Sequence, residues 1–132
     1  MTFDVNKTIK YWSDGAAYDL ETGRSLLDSK KFPYALFFGH LALEKTLKAL
    51  VVKATGEHAT YTHSLTMLAS KTNIVIPDSI IDQLAEYTEF HIEARYPDEK
   101  KDFYKKCTEE FTQEKFNGIE SVYKWLTQKL IQ

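Results

Sequence analysis

Phe38-Gly39-His40-Leu41-Ala42-Leu43-Glu44-Lys45-Thr46-Leu47-Lys48-Ala49-Leu50 is the stretch on which the fold turns. Wound as a helix, it points apolar side chains in most directions, which predicts a central helix packed on several sides. His40, Glu44 and Lys48 recur at steps of four and share one face of that helix. A polar stripe on an otherwise apolar helix must be solvated, paired or used. One reading is a Glu44–Lys48 pair on a thin exposed edge, worth about 0.3–0.5 kcal/mol. The other is part of a site.

Outward from this run, Pro33 fits the first turn of the same helix, where a missing N–H costs nothing, and Gly56 is its natural stop. Before it, residues 4–29 place Val5, Ile9, Trp12, Ala16, Leu20, Gly23 and Leu27 on one stripe, with Asp4 as N-cap and Lys30-Lys31 at the negative pole. After it, Glu57 to Tyr61 reads as a loop, and Thr62 as the cap of a short helix from His63 to Lys71 that Asn73 ends. Ile74-Val75-Ile76 is expected to be extended or turning. Pro77 and Asp78 open a fourth helix with Ile80, Ile81, Leu84, Tyr87 (or Thr88) and His91 on one side, closed before Pro97. Residues 96–107 are expected to form a charged loop. Thr108 with Glu109 and Glu110 starts a last helix bearing Phe111, Lys115 or Phe116, Ile119, Val122 or Tyr123, Leu126 and Leu130. The fold class expected is all-α, an up-and-down bundle of four to five helices forming a single domain over 1–132.

Composition agrees. The chain has 132 residues, 43% hydrophobic and 27% charged, with only five Gly and three Pro, too few for a turn-rich β-sandwich. A net charge of −2 offers no global attraction to nucleic acid or anionic lipid, so any polyanion must meet a local basic patch. Cys107 is the only cysteine and has no partner for an internal disulfide, which suits a reducing cytoplasm. No secretory leader is expected from Met1 to Lys7, and no apolar run approaches the ~20 residues that span a bilayer.

Three places could carry chemistry. The first is the His40–Glu44–Lys48 stripe. The second is Glu93-Ala94-Arg95-Tyr96-Pro97-Asp98, where Arg95 could clamp a phosphate or carboxylate, or simply pair with Asp98 at the helix end. His91 sits one turn before Arg95 and shares its face. The third is Asp98 to Lys106, whose four lysines are interleaved with Phe103 and Tyr104 but nearly cancelled by Asp98, Glu99 and Asp102. A solvated loop is the expectation there. No phosphate-binding glycine loop or nucleophile elbow is present. His58 and His63 have too few neighbouring ligands for a metal site.

Trp12, Ala16 and Asp19-Leu20, then Tyr34-Ala35, His40-Leu-Ala-Leu-Glu44-Lys45-Thr-Leu-Lys48-Ala-Leu, Thr62-His63-Ser64-Leu65 and Ala94-Arg95-Tyr96-Pro97-Asp98 occur in one order along the chain. In that order they resemble the HEPN domain family, above all the stand-alone prokaryotic members associated with minimal nucleotidyltransferases. The resemblance implies a helical bundle, usually a homodimer. It also implies a nucleotide or RNA setting and a nucleotidyltransferase partner, often in a toxin–antitoxin or defence system, with no cofactor and no metal. Active members are metal-independent endoribonucleases whose Arg is followed a turn or more later by His. Arg95 matches the arginine, but Glu99, Lys100, Lys101 and Asp102 stand where histidine is required, and Arg24 has no following histidine either. The expectation is a module that binds a nucleotide, RNA or a nucleotidyltransferase in a cleft lined by His40, Glu44, Lys48 and Arg95, with Asp98 nearby. The alternative is an endoribonuclease toxin in which Arg95 works with a displaced histidine, His91 or His40. A third reading makes the stripe a dimer or hetero-complex seam.

Overall fold

The computed structural model of the chain describes residues 3–95 and 97–132, with the side chains of residues 97–100 outside the described set. Among the described residues six helices follow in order: α1 (Val5–Asp28), α2 (Phe32–Thr55), α3 (Leu65–Ser70), α4 (Asp78–Arg95), α5 (Pro97–Lys106) and α6 (Glu109–Leu130). No strand occurs among the described residues, and the architecture is an all-α bundle.

Local chemistry sets the helix ends. Asp4 accepts from the Lys7 N–H at 3.0 Å and caps α1. At the other end Lys30 takes a left-handed φ of 63°, and its N–H and that of Lys31 donate to the carbonyls of Leu27 and Leu26. That pattern is a Schellman turn with lysine in the place usual for glycine. Only Ser29 to Lys31 separate α1 from α2, so the two form an antiparallel hairpin. The Lys45 ammonium lies 2.7 Å from the Asp19 carboxylate, and α2 stops at Gly56 with φ 70°. Thr108 caps α6 by accepting from the Phe111 N–H at 3.2 Å.

The expectation of a central α2 holds: it packs against all five other helices. Leu36, Leu43, Leu47 and Leu50 are fully buried there with Phe90, Phe103, Phe116, Ile119 and Leu126 from α4, α5 and α6. Each such side chain contributes about 1.5–3 kcal/mol relative to remaining in water. Arg24 pairs with Glu120 and lies 5.0 Å over the Phe116 ring, so the second arginine joins α1 to α6.

Two expectations are corrected. Residues 97–106 are not part of a charged loop but form α5, and Tyr96 lies outside the described residues. The segment is amphipathic: Phe103 is fully buried, 5.7 Å from Phe90, and Cys107 is buried beside the same core, while Lys101, Asp102, Lys105 and Lys106 face solvent. One aromatic anchor and one thiol at helical spacing outweigh the charge. The short third helix begins at Leu65 rather than His63, since Ser64, not Thr62, accepts the capping bond from Met67 N–H. None of the described helices is long and apolar enough to cross a membrane.

Candidate functional site

Helix α2 carries His40, Glu44 and Lys48 inward, not along an exposed edge as the simpler reading of the stripe required. All three are buried, and a buried charge demands partners. Glu44 has three. Its Oε1 accepts from His40 Nε2 at 3.2 Å and from His63 Nδ1 at 2.9 Å, and its Oε2 accepts from Lys48 Nζ at 3.1 Å. Burial by itself would raise the carboxyl pKa. The hydrogen bonds from His40 and His63 and the charge of Lys48 outweigh it and lower the value to about 2. Glu44 is therefore a carboxylate at any physiological pH.

Each donor is held in turn. His40 is fully buried, and its Nδ1 donates to the Tyr87 carbonyl at 3.2 Å, so both ring nitrogens are committed to acceptors. Lys48 sits 4.9 Å from the Trp12 ring centre and 5.8 Å from that of Tyr61, two π-faces that cover its ammonium. His63 belongs to the α2–α3 connection. The next residue, Ser64, caps α3, and the Leu65 N–H donates to Thr88 Oγ1 on α4 at 3.1 Å. That bond draws the connection onto α4.

The result is a third histidine on the cluster. His63 stacks on His91 of α4 with ring centres 4.0 Å apart and planes 21° apart. His40 and His91 ring centres are 5.1 Å apart. Arg95, one turn along α4, donates from a guanidinium nitrogen to His91 Nε2 at 3.3 Å. Burial, together with the His40, His63 and Arg95 charges, lowers the His91 pKa to about 4 against the opposing Glu44 carboxylate. At neutral pH His91 is uncharged, accepts at Nε2 and carries its proton on Nδ1.

The residues expected to line a cleft are thus linked in one chain, Lys48–Glu44–His40/His63–His91–Arg95, but most of it is a buried floor. The solvent-facing rim is Arg95, with His63, whose side chain is 43% exposed. Beside it His63, Ser64, Thr88, His91 and Ile92 line a pocket of about 240 Å³. Asp98, expected beside Arg95, lies outside the described side chains. Sequence reasoning dismissed His63 because it sought metal ligands near it in the chain. The available signal was different: a glutamate on an apolar helix needs donors from other elements, and His63 directly precedes a helix cap.

A hollow of about 320 Å³ at the far end of α2 includes Lys53, but that ammonium already donates to the carbonyls of Lys129, Leu130 and Gln132. Among the described residues no group of His, Cys, Asp and Glu is arranged to hold a metal ion.

Residues 9–130 match the family model described as the HEPN domain. The crystal structure of TT1696 from Thermus thermophilus superposes with a TM-score of 0.79 at 19% identity, over 92% of this chain and 97% of that one. The crystal structure of ST0689, described as an archaeal HEPN homologue, gives 0.72 at 21% identity over the same shares. At these identities the likeness speaks for the fold alone. No curated protein sequence matches the chain.

Proposed function

We propose, on the premise that this chain belongs to the HEPN domain family, that it is a cytoplasmic, single-domain dimeric module binding a phosphate-bearing ligand, a nucleotide or RNA, at the Arg95–His63 rim. The observation that carries the reading is the state of Arg95. Its only described side-chain partner is a neutral histidine, so its charge is oriented by His91 without being neutralised by it. A guanidinium held this way is suited to a phosphate. The buried Glu44 balances Lys48 beneath the rim and leaves the positive charge of Arg95 facing outward. The family resemblance supports a small nucleotidyltransferase as protein partner within a toxin–antitoxin or defence pair.

Fluorescence anisotropy with a labelled oligoribonucleotide and a labelled nucleotide tests the ligand. Arg95→Ala should weaken binding about tenfold or more, the loss of one charged hydrogen-bonded contact of about 1.5–3 kcal/mol. Unchanged affinity in that variant refutes the reading. Light scattering tests the dimer, and co-purification with a co-expressed small nucleotidyltransferase tests the partner.

The endoribonuclease alternative also has an observation in its favour: Arg95 touches a histidine, His91, although the order along the chain is reversed. Neither histidine named for it suits the role of base. His40 is fully buried with both nitrogens engaged, and His91 has its free nitrogen taken by Arg95 and a pKa of about 4.

A further inference from the structure

We propose that the first turns of α1 and the α2–α3 connection form a second binding site, for a small aromatic carboxylate, with Trp12 and His58 walling the ring and Lys7 meeting the carboxylate. The site shares no residue with the Arg95 rim and does not rest on ligand binding there.

Lys7, Thr8, Tyr11, Trp12 and His58 line a pocket of about 300 Å³. Its rings are held before any ligand arrives. Tyr11 and Trp12 meet edge to face, with ring centres 5.1 Å apart and planes at 75°. The His58 ring lies 4.2 Å from that of Phe3. Trp12 also lies 4.9 Å from the Lys48 ammonium, which donates to the buried Glu44 carboxylate at 3.1 Å. The indole is thus tied to the centre of the bundle. Walls fixed in this way lose little freedom when a planar ring enters between them.

Charge decides which ring. Aromatic faces often gather a cation, but the cation beside Trp12 is already Lys48, which Tyr61 covers as well at 5.8 Å. A second cation would also meet Lys7. Among the described residues the exposed Lys7 ammonium makes no hydrogen bond or ion pair, whereas Lys10 is bound by Asp14 at 2.6 Å. The Trp12 indole N–H, a donor only, has no acceptor among them either. Thr8 Oγ1 gives its proton to the Asp4 carbonyl at 2.8 Å, and the Asp4 carboxylate is committed to the Lys7 backbone N–H. What is left unpaired calls for an acceptor with negative charge. One ammonium is a point charge that matches one carboxylate, while a phosphate dianion would keep half of its charge unpaired. The ligand class is therefore a planar ring bearing a single carboxylate.

The test uses the full chain and the indole N–H signals of its two tryptophans in a proton–nitrogen correlation spectrum, with Trp125 on α6 as internal control. Titration with 2-naphthoate should move the Trp12 signal to saturation at millimolar concentration and leave Trp125 in place. Acetate, which lacks the ring, and 2-naphthamide, which lacks the charge, should bind several-fold more weakly. Lys7→Ala should lower the naphthoate affinity about two- to fivefold, as an exposed ion pair contributes, and leave naphthamide unchanged. His58→Ala should lower both about two- to tenfold. Both residues are exposed, so neither variant disturbs the bundle, and Arg95→Ala should change nothing. A Trp12 signal that ignores naphthoate overturns the site. Equal binding of naphthamide, or an affinity that Lys7→Ala leaves intact, overturns the carboxylate contact. Tighter binding of adenosine monophosphate than of naphthoate at Trp12 overturns the ligand class.

Discussion

Replacing Glu44 by Gln isolates the charge at the centre of the cluster, because the amide matches a protonated glutamic acid in shape. In the folded chain the carboxyl titrates at about 2 instead of 4.5. At about 1.4 kcal/mol per unit this amounts to about 3 kcal/mol of stability from the ionised form. The side chain is only 5% exposed, so solvent screening takes little from that figure. Because folding lowers the pKa, the unfolded chain binds the proton more tightly. The contribution is therefore complete above about pH 4.5 and is lost as pH falls toward 2. Urea unfolding of wild type and Glu44→Gln, followed by circular dichroism from neutral pH to about pH 2, reads the difference directly. The variant should be less stable by about 3 kcal/mol or more at neutral pH, since the buried Lys48 also loses its counter-charge. The gap should close by about 3 kcal/mol below pH 4.5. The lowered pKa of His91 steepens the loss between about 6.5 and 4 in both proteins, so it largely cancels in the comparison. A gap that stays constant through the acid range refutes the reasoning.

Gly23→Ala should cost about 1–3 kcal/mol in thermal or urea unfolding, because a Cβ there would lie 2.8 Å from Phe116 Cε2 and 3.2 Å from the Ala35 carbonyl oxygen. Phe103→Ala should cost about 3–5 kcal/mol if α5 unfolds with the bundle, or free 97–106 to exchange amide hydrogens rapidly if it unfolds alone; an unaffected protein would mean that α5 is not docked. Cys107, whose thiol burial and the nearby Glu93 charge push up to about 12, should resist an aromatic disulfide reagent at pH 8 and react once denatured. Fast reaction of the native protein would contradict its burial.

Local periodicity and caps made the bundle legible along the chain. The apolar run around Leu36 to Leu50, the stops at Gly56 and Pro97 and the caps at Asp4 and Thr108 are decided within a few residues of themselves, so the fold class needed no long-range information. Segment 97–106 was misread because seven charges outnumber one phenylalanine. Whether Phe103 finds a core to enter depends on Phe90, which lies on a different helix.

The opening stripe shows the same division. Spacing by four was enough to align His40, Glu44 and Lys48 on one face, since that follows from helix pitch alone. Whether the face met water or protein was decided by α1, α4 and the α2–α3 connection closing over it. That closure turned a weak surface pair into a buried carboxylate that must recruit donors, and it brought in His63, nineteen positions away, which no spacing rule could place. The arginine-to-histidine motif missing from the sequence is a statement about chain order; the adjacency of Arg95, His91 and His63 is a statement about packing, and only packing could make it.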